Sequence, residues 1–225
     1  RALVGRGVNR TAVEVHRNIK QMFRWAEKRQ PWRRLLIDGN PAELVEIAKV
    51  VDPDYDLSNI RSRVLNEEEI RELRDRFEAM ARDYEAADDK RSAVRAVEPE
   101  TQAALWLCLS TLCRIGELLM TEWRHVDFEA GTWFIPKENV KGSRGKKRDH
   151  FVYLSRFALR QFRALHARTG KTRWCFPGRN ATDHVDVKSV SKQIGDRQHQ
   201  FKQRKALANR RNDNSLVLSN GANGE

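Results

Sequence analysis

Val8, Ala12, Val15, Ile19, Met22 and Ala26 recur at spacings of three and four. Side chains at those intervals share one face of an α-helix, so residues 8 to 28 are predicted to form an amphipathic helix. Asn40, Pro41 and Ala42 read as an N-cap followed by proline at the first helical position, opening a short helix through Ala48. Residues 49 to 63 lose periodicity and collect turn formers, which marks a linker. A second unit opens at Leu65. Asn66 and Glu69 have the spacing of a capping box, and Leu65 and Ile70 that of a hydrophobic staple. Ile70, Leu73, Phe77, Met80 and Tyr84 continue the inner stripe of that helix, and a polar loop follows at 88 to 91. Pro99 starts another helix, apolar on every side from Ala103 to Leu112, as in a helix enclosed by neighbours. Residues 114 to 122 continue it as a second helical piece or a bend. Beyond Trp123 the period changes to two. Residues 125–128 and 132–135 read as a hairpin turning at Gly131, and 151–154 as a third strand. Ser155 caps a helix through about Arg168, and residues 185–203 are a further helix.

These elements predict a mainly α chain with a small antiparallel sheet, an α+β class. At 225 residues the chain can bury a real core. Charge narrows the partners: 43 Lys and Arg against 31 Asp and Glu give +12, which draws the chain to polyanions, duplex DNA or RNA first and an anionic membrane surface second. No apolar run approaches the ~20 residues that cross a bilayer, and no secretory leader is recognisable. Three cysteines are an odd count, and Cys108 and Cys113 lie in the apolar stretch. They read as small hydrophobes in a reducing compartment, a cytoplasm. Metal binding has no support from Cys or His spacing or from a carboxylate cluster.

The charges are not evenly spread. Arg17, Lys20, Arg24 and Lys28 fall together on the face of the first helix opposite its apolar stripe, with no acid in the row. A solvated face and a DNA-contacting face both fit that pattern. Between the second and third strands, Lys137, Lys141, Arg144, Lys146, Lys147 and Arg148 make a basic loop broken by glycines that let it approach a backbone closely. Residues 188–211 hold another basic run with Asp196 its only acid, either a nucleic-acid-facing arm or a disordered polar segment. Finally, Arg114 ends the apolar run with Ile115, Leu118 and Leu119 beside it. The expectation is a desolvated guanidinium that needs an anion, for which phosphate suits its planar fork.

Arg114, Glu117, Trp123 and Asp127, set just before a strand, resemble the first catalytic box of the tyrosine recombinases, the phage-integrase family. The resemblance covers nearly the whole chain, although only this box is specific. It implies that residues 1 to about 60 are part of a helical core DNA-binding domain and 64–225 the first part of a catalytic domain. It implies that Arg114 binds the scissile phosphate and that Glu117 orients it. Lys141 is the position matched to the family's hairpin lysine, the general acid for the departing 5′ oxygen. Lys137 and Lys146 are rivals for that role, and His150 could touch the same phosphate. The implied function is site-specific DNA integration by strand cleavage and rejoining through a 3′-phosphotyrosyl intermediate. No cofactor is needed, and the intact enzyme works as a homo-oligomer on DNA, a tetramer in the synapse. The chain departs from the family in one respect. No histidine is followed by arginine three residues on, and the only tyrosine after Arg114 is Tyr153, which reads as a core or sheet-face aromatic. The expectation is a fragment ending before the second box, natural loss of catalysis being the rival. These residues should bind DNA without cutting it. A non-catalytic DNA-binding regulator is the alternative function, and a metal-dependent nuclease a weaker third.

Overall fold

The computed structural model describes residues 2–58, 64–142 and 145–195. The chain divides into two compact units, Arg1–Val64 and Leu65–Glu225.

The first unit is built on α1 (Asn9–Glu27). The helix forms where the apolar spacing places it, but its stripe is not enclosed. No α1 residue is buried, and Val15, Ile19 and Met22 are 41%, 40% and 56% exposed. The reason is what lies opposite. The short helix expected after Asn40 breaks into two 3₁₀ turns, Pro41–Leu44 and Ile47–Lys49, because Val45 and Glu46 are extended between them. Asn40 caps the first turn as expected, its side-chain oxygen accepting from the Ala42 N–H at 3.0 Å. Its amide also donates to the Lys20 carbonyl at 3.0 Å, and His16 bonds the Ala42 carbonyl at 3.0 Å. Polar bonds thus seat these turns on α1, while the two short turns offer too little apolar surface to cover the stripe.

The second unit holds the core. Its first helix, α2 (Glu67–Ala86), opens with the capping box read from the sequence. The Asn66 oxygen accepts from the Glu69 N–H at 2.8 Å, and the Glu69 carboxylate accepts from the Asn66 N–H at 2.9 Å. Leu73, Phe77 and Met80 are buried and meet Val97 in a small cluster, while Ile70 is half exposed. α3 (Pro99–Thr111) packs on α5 (Arg156–Thr169), with α4 (Ile115–Leu119) between them in sequence. Enclosure of α3 is one-sided, contrary to the all-round apolar pattern: Ala103, Ala104 and Leu107 are buried, but Leu109 and Ser110 are exposed.

Among the described residues the unit also has three antiparallel strands: β1 (Val126–Asp127), β2 (Thr132–Ile135) and β3 (His150–Tyr153), in that order. β1 is shorter than its alternation suggests because residues 123–125 take a 3₁₀ turn. The Asp127 carboxylate also ends it, accepting from the Glu129 and Ala130 N–H groups at 2.9 and 2.8 Å. Gly131 at φ 64° then reverses the chain, a backbone that glycine adopts without steric cost. Trp133 and Ile135 point inward, joining Phe162, Leu165, Leu118 and Phe176 in the main core. Phe134 faces the other way and pairs with Phe151 at 4.9 Å. Tyr153 stands opposite Thr132 and is 84% exposed, so the core alternative read for it from sequence is corrected: among the described residues it is a solvent-facing residue of an edge strand. Ser155 caps α5 through the Ala158 N–H at 3.2 Å. The last described helix, α6 (Val187–Gly195), covers the start of the expected 185–203 helix, and the remainder lies outside the described residues. Among the described residues no helix is long and apolar enough to cross a membrane.

Candidate nucleic-acid and strand-cleavage site

α3 ends in a left-handed turn. Leu112 takes φ 55° and its N–H closes on the Cys108 carbonyl at 2.9 Å. A branched side chain in this region is uncommon, and Leu112 accordingly points outward, 89% exposed. The turn diverts the chain from the core, and Arg114 follows in an extended conformation as the N-cap residue of α4. Its side chain is therefore 65% exposed, not buried as the apolar run suggested. Glu117 is the buried partner, 9% exposed. Its carboxylate accepts from Arg114 Nη1 at 3.1 Å and from the Arg114 N–H at 3.4 Å. The pair thus combines a solvent-facing cation with a carboxylate fixed in the protein, which orients the guanidinium without enclosing it. Burial pushes the nearby Cys108 thiol up to about 11 and raises Cys113 as well, consistent with both being small apolar fillers.

The tryptophan and aspartate of the same box are structural. Trp123 donates from Nε1 to the Thr169 carbonyl at 3.1 Å and meets the His166 ring edge-on at 4.6 Å, tying the segment to α5. Glu122 precedes it, and nothing in the helical pattern singled it out, although Arg124 two residues on is a local signal. Its buried carboxylate accepts from Arg173 Nε at 2.7 Å and Nη2 at 2.9 Å, and from Arg124 Nη2 at 3.1 Å. These hydrogen bonds, Arg173 first, hold Glu122 down to about 2 from an ordinary 4.5. A carboxylate with a depressed folded pKa contributes stability that is complete above its unfolded value and is lost as pH falls toward the folded one. Glu122→Gln should therefore destabilise the unit at neutral pH by about 1–2 kcal/mol, a modest figure because both arginines face solvent. It should also flatten the stability profile between pH 4.5 and 2. Urea titrations across that window check both; identical profiles for the two proteins reject this role.

The basic loop leaves β2 and is pinned at its base. The Asp149 carboxylate accepts from the Lys137 N–H at 2.8 Å, and the Asn139 N–H donates to the Pro136 carbonyl at 2.9 Å. Val140 packs on the main core. The Asn139 side-chain amide donates to the Met120 carbonyl at 3.2 Å, and Met120 is the C-cap of α4. Sequence reasoning missed this residue, an uncharged amide among lysines. Lys141 lies two residues further on and is exposed, as are Lys146, Arg148 and His150; Lys147 is half-buried, reaching the Glu138 carbonyl at 3.4 Å. Arg144 lies outside the described residues. A cavity of about 530 Å³ opens beside Glu122, His125, Phe134, Asn139 and Trp174, and neither Arg114 nor Lys141 lines it. The cations matched to the family's chemistry thus sit on open surface, where a polyanion can reach them. Among the described residues no three His, Cys, Asp or Glu side chains gather as a metal site.

In the first unit, Arg17, Arg24 and Lys28 are exposed and Lys20 is half-buried. The absence of acids along that row does not hold in three dimensions. Glu43, from the turn opposite, lies 2.9 Å from Arg24 Nη2 and 3.9 Å from Lys20 Nζ.

The model of the phage integrase family matches residues 64–215. The prophage integrase IntZ of Escherichia coli (strain K12) is 29% identical over 100 residues, 44% of this chain and 24% of that relative, so the similarity spans about a quarter of its length. No solved structure matches the chain. The family match takes in the Arg114 box, all three strands and the basic loop, and the chain belongs to the phage integrase family, the tyrosine recombinases.

Proposed function

We propose that this chain binds duplex DNA and supplies part of the machinery for site-specific strand cleavage and rejoining. The observation that carries the reading is Arg114, presented to solvent by a left-handed turn and braced by the buried Glu117. A guanidinium so placed can grip a scissile phosphate and stabilise the charge that builds on its oxygens during displacement. Lys141, on the anchored loop, is the general acid for the 5′ oxygen. Lys146, Lys147 and Arg148 track neighbouring phosphates, with Arg17, Lys20, Arg24 and Lys28 contributing from a helical domain of residues 1–60. Lys20 and Arg24 would then exchange Glu43 for DNA. Because the phosphotyrosyl bond conserves the energy of the cleaved ester, the reaction calls for no nucleotide hydrolysis. A tetramer on paired sites is the working assembly.

A second reading, DNA binding without catalysis, is favoured by one observation: the only tyrosine following Arg114 is Tyr153, which lies on an edge strand. The two are separated by trapping. The 225-residue chain should bind duplex with an affinity that falls roughly 10³-fold from about 50 to about 200 mM salt, as expected for some six phosphate contacts. It should form no covalent adduct with nicked or intact duplex. A flat salt response removes the electrostatic reading. An adduct seen on denaturing gels, and lost in Tyr153→Phe, would overturn the account of a chain without its nucleophile. An adduct formed by the intact gene product excludes the regulator.

A further inference from the structure

We infer that Asn139 is a positioning residue for strand cleavage: its side-chain amide locks the lysine-bearing loop to the helix that begins at Arg114. The inference rests on the assignment of Arg114 and Lys141 to the reaction.

The physical basis is the unpaired end of a helix. The last carbonyls of any α-helix lack partners within it and must find donors elsewhere. α4 has only five residues, so its C-terminal carbonyls matter more than those of a long helix. Met120 caps it, and the donor that reaches the Met120 carbonyl at 3.2 Å is Asn139 Nδ2, from a loop 19 residues away in sequence. A carbonyl can only accept, so the amide must present its nitrogen. The same residue is fixed from its own backbone, because its N–H donates to the Pro136 carbonyl at 2.9 Å. Val140, next in the chain, is held by the core. Lys141 therefore starts from a backbone whose previous two residues are immobilised.

The geometry links two catalytic cations through one short element. Arg114 stands at the N-terminal end of α4 and Met120 at its C-terminal end. At about 1.5 Å per residue that separation is about 9 Å along the axis. Asn139 thus fixes the loop to a rigid rod whose other end carries the phosphate-gripping arginine. Of the loop's side chains, Lys141, Lys146 and Arg148 are exposed, and the Asp149 bond to the Lys137 N–H closes only its base. Without Asn139, the segment from Pro136 to Lys141 would keep its turn and the packing of Val140 on the core, and lose the polar bond that sets its registration on the end of α4.

The test exploits what a general acid does. In cleavage the tyrosine oxygen bonds to phosphorus and the bond from phosphorus to the 5′ oxygen breaks. That oxygen departs with the electron pair and takes a proton from the Lys141 ammonium. If sulfur replaces the bridging 5′ oxygen, the leaving thiolate is stable without a proton, since thiols ionise near pH 8.5. Loss of the acid is then bypassed. The assay uses the full-length gene product and a duplex spanning the junction between its encoding element and the flanking DNA, with oxygen or sulfur at the scissile position. Asn139→Leu removes the donor while nearly keeping size and adding no charge. It should cut cleavage of the oxygen substrate about 10- to 100-fold, the range for residues that orient a reacting group. On the sulfur substrate it should return to within a few-fold of the unsubstituted protein, with DNA binding and thermal midpoint little changed. Lys141→Ala should be rescued in the same way and Arg114→Ala should not.

An equal loss on both substrates, or no loss on either, overturns the role of Asn139 when Lys141→Ala is rescued. Failure of sulfur to rescue Lys141→Ala overturns the lysine assignment itself, and this inference with it. So does absence of cleavage by the unsubstituted gene product.

Discussion

Arg114→Ala in the full-length gene product should lower strand cleavage by about 10³- to 10⁵-fold, the range for an arginine that stabilises charge in phosphoryl transfer. Duplex binding should fall less than about tenfold, because the affinity is spread over many phosphate contacts. The difference between those two losses is the signature of an interaction made mainly in the transition state. Arg114→Lys keeps the charge but forfeits the planar fork, so it should recover only a small part of the rate. Glu117→Gln should fall between them, since it weakens the brace at Arg114 Nη1 and leaves the guanidinium itself in place. Rates of adduct formation measured beside equilibrium binding decide the matter. Near-normal turnover in Arg114→Ala would take this residue out of the site, whatever the family pattern suggests.

The second large effect concerns the core that holds α3, α5 and the sheet together. Phe162 is fully buried, with Trp133 at 6.0 Å and Trp123 at 6.5 Å between ring centroids. Phe162→Ala removes a ring that these neighbours cannot replace, which costs about 3–5 kcal/mol. For a unit of this size the thermal midpoint should drop on the order of 10 °C. Tryptophan fluorescence reports the transition directly, since two of the affected neighbours are indoles. A control in the first unit sharpens the test: Met22→Ala, at an exposed position of α1, should change stability by less than about 0.5 kcal/mol. A shift below about 1 kcal/mol for Phe162→Ala would mean that the interior is far looser than its close ring contacts imply.

What could be read from the residues, and what could not, divides along physical lines. Local signals carried well. The Asn66–Glu69 box, the Ser155 cap and the Gly131 turn depend on a few neighbouring atoms, and each forms as its sequence suggests. Alternation also placed β2, where Trp133 and Ile135 face inward. Burial carried poorly wherever it depends on a partner outside the segment. The α1 stripe has helical spacing, yet the short turns opposite cannot cover it. Arg114 follows a strongly apolar run, yet one backbone reversal at Leu112 moves it to the surface. Tyr153 alternates like a buried strand residue, but β3 is an edge strand and its outer face has no covering layer in the described unit. Long-range polar pairs were invisible for the same reason. Nothing within a few residues of Glu43, Glu122 or Asn139 announces that Arg24, Arg173 or the Met120 carbonyl will stand beside them. The family pattern singled out Arg114 and Lys141. The contacts that aim them needed coordinates.

Leu112 has a last consequence. Glycine would occupy its left-handed corner at no steric cost, whereas leucine is held there between α3 and α4 with its N–H bonded to the Cys108 carbonyl. The corner therefore behaves as a clamped elbow. Under the proposed function, Arg114, rooted as the N-cap residue of α4, would reach a phosphate by swinging its own methylene chain, a change of rotamer with no refolding of the main chain.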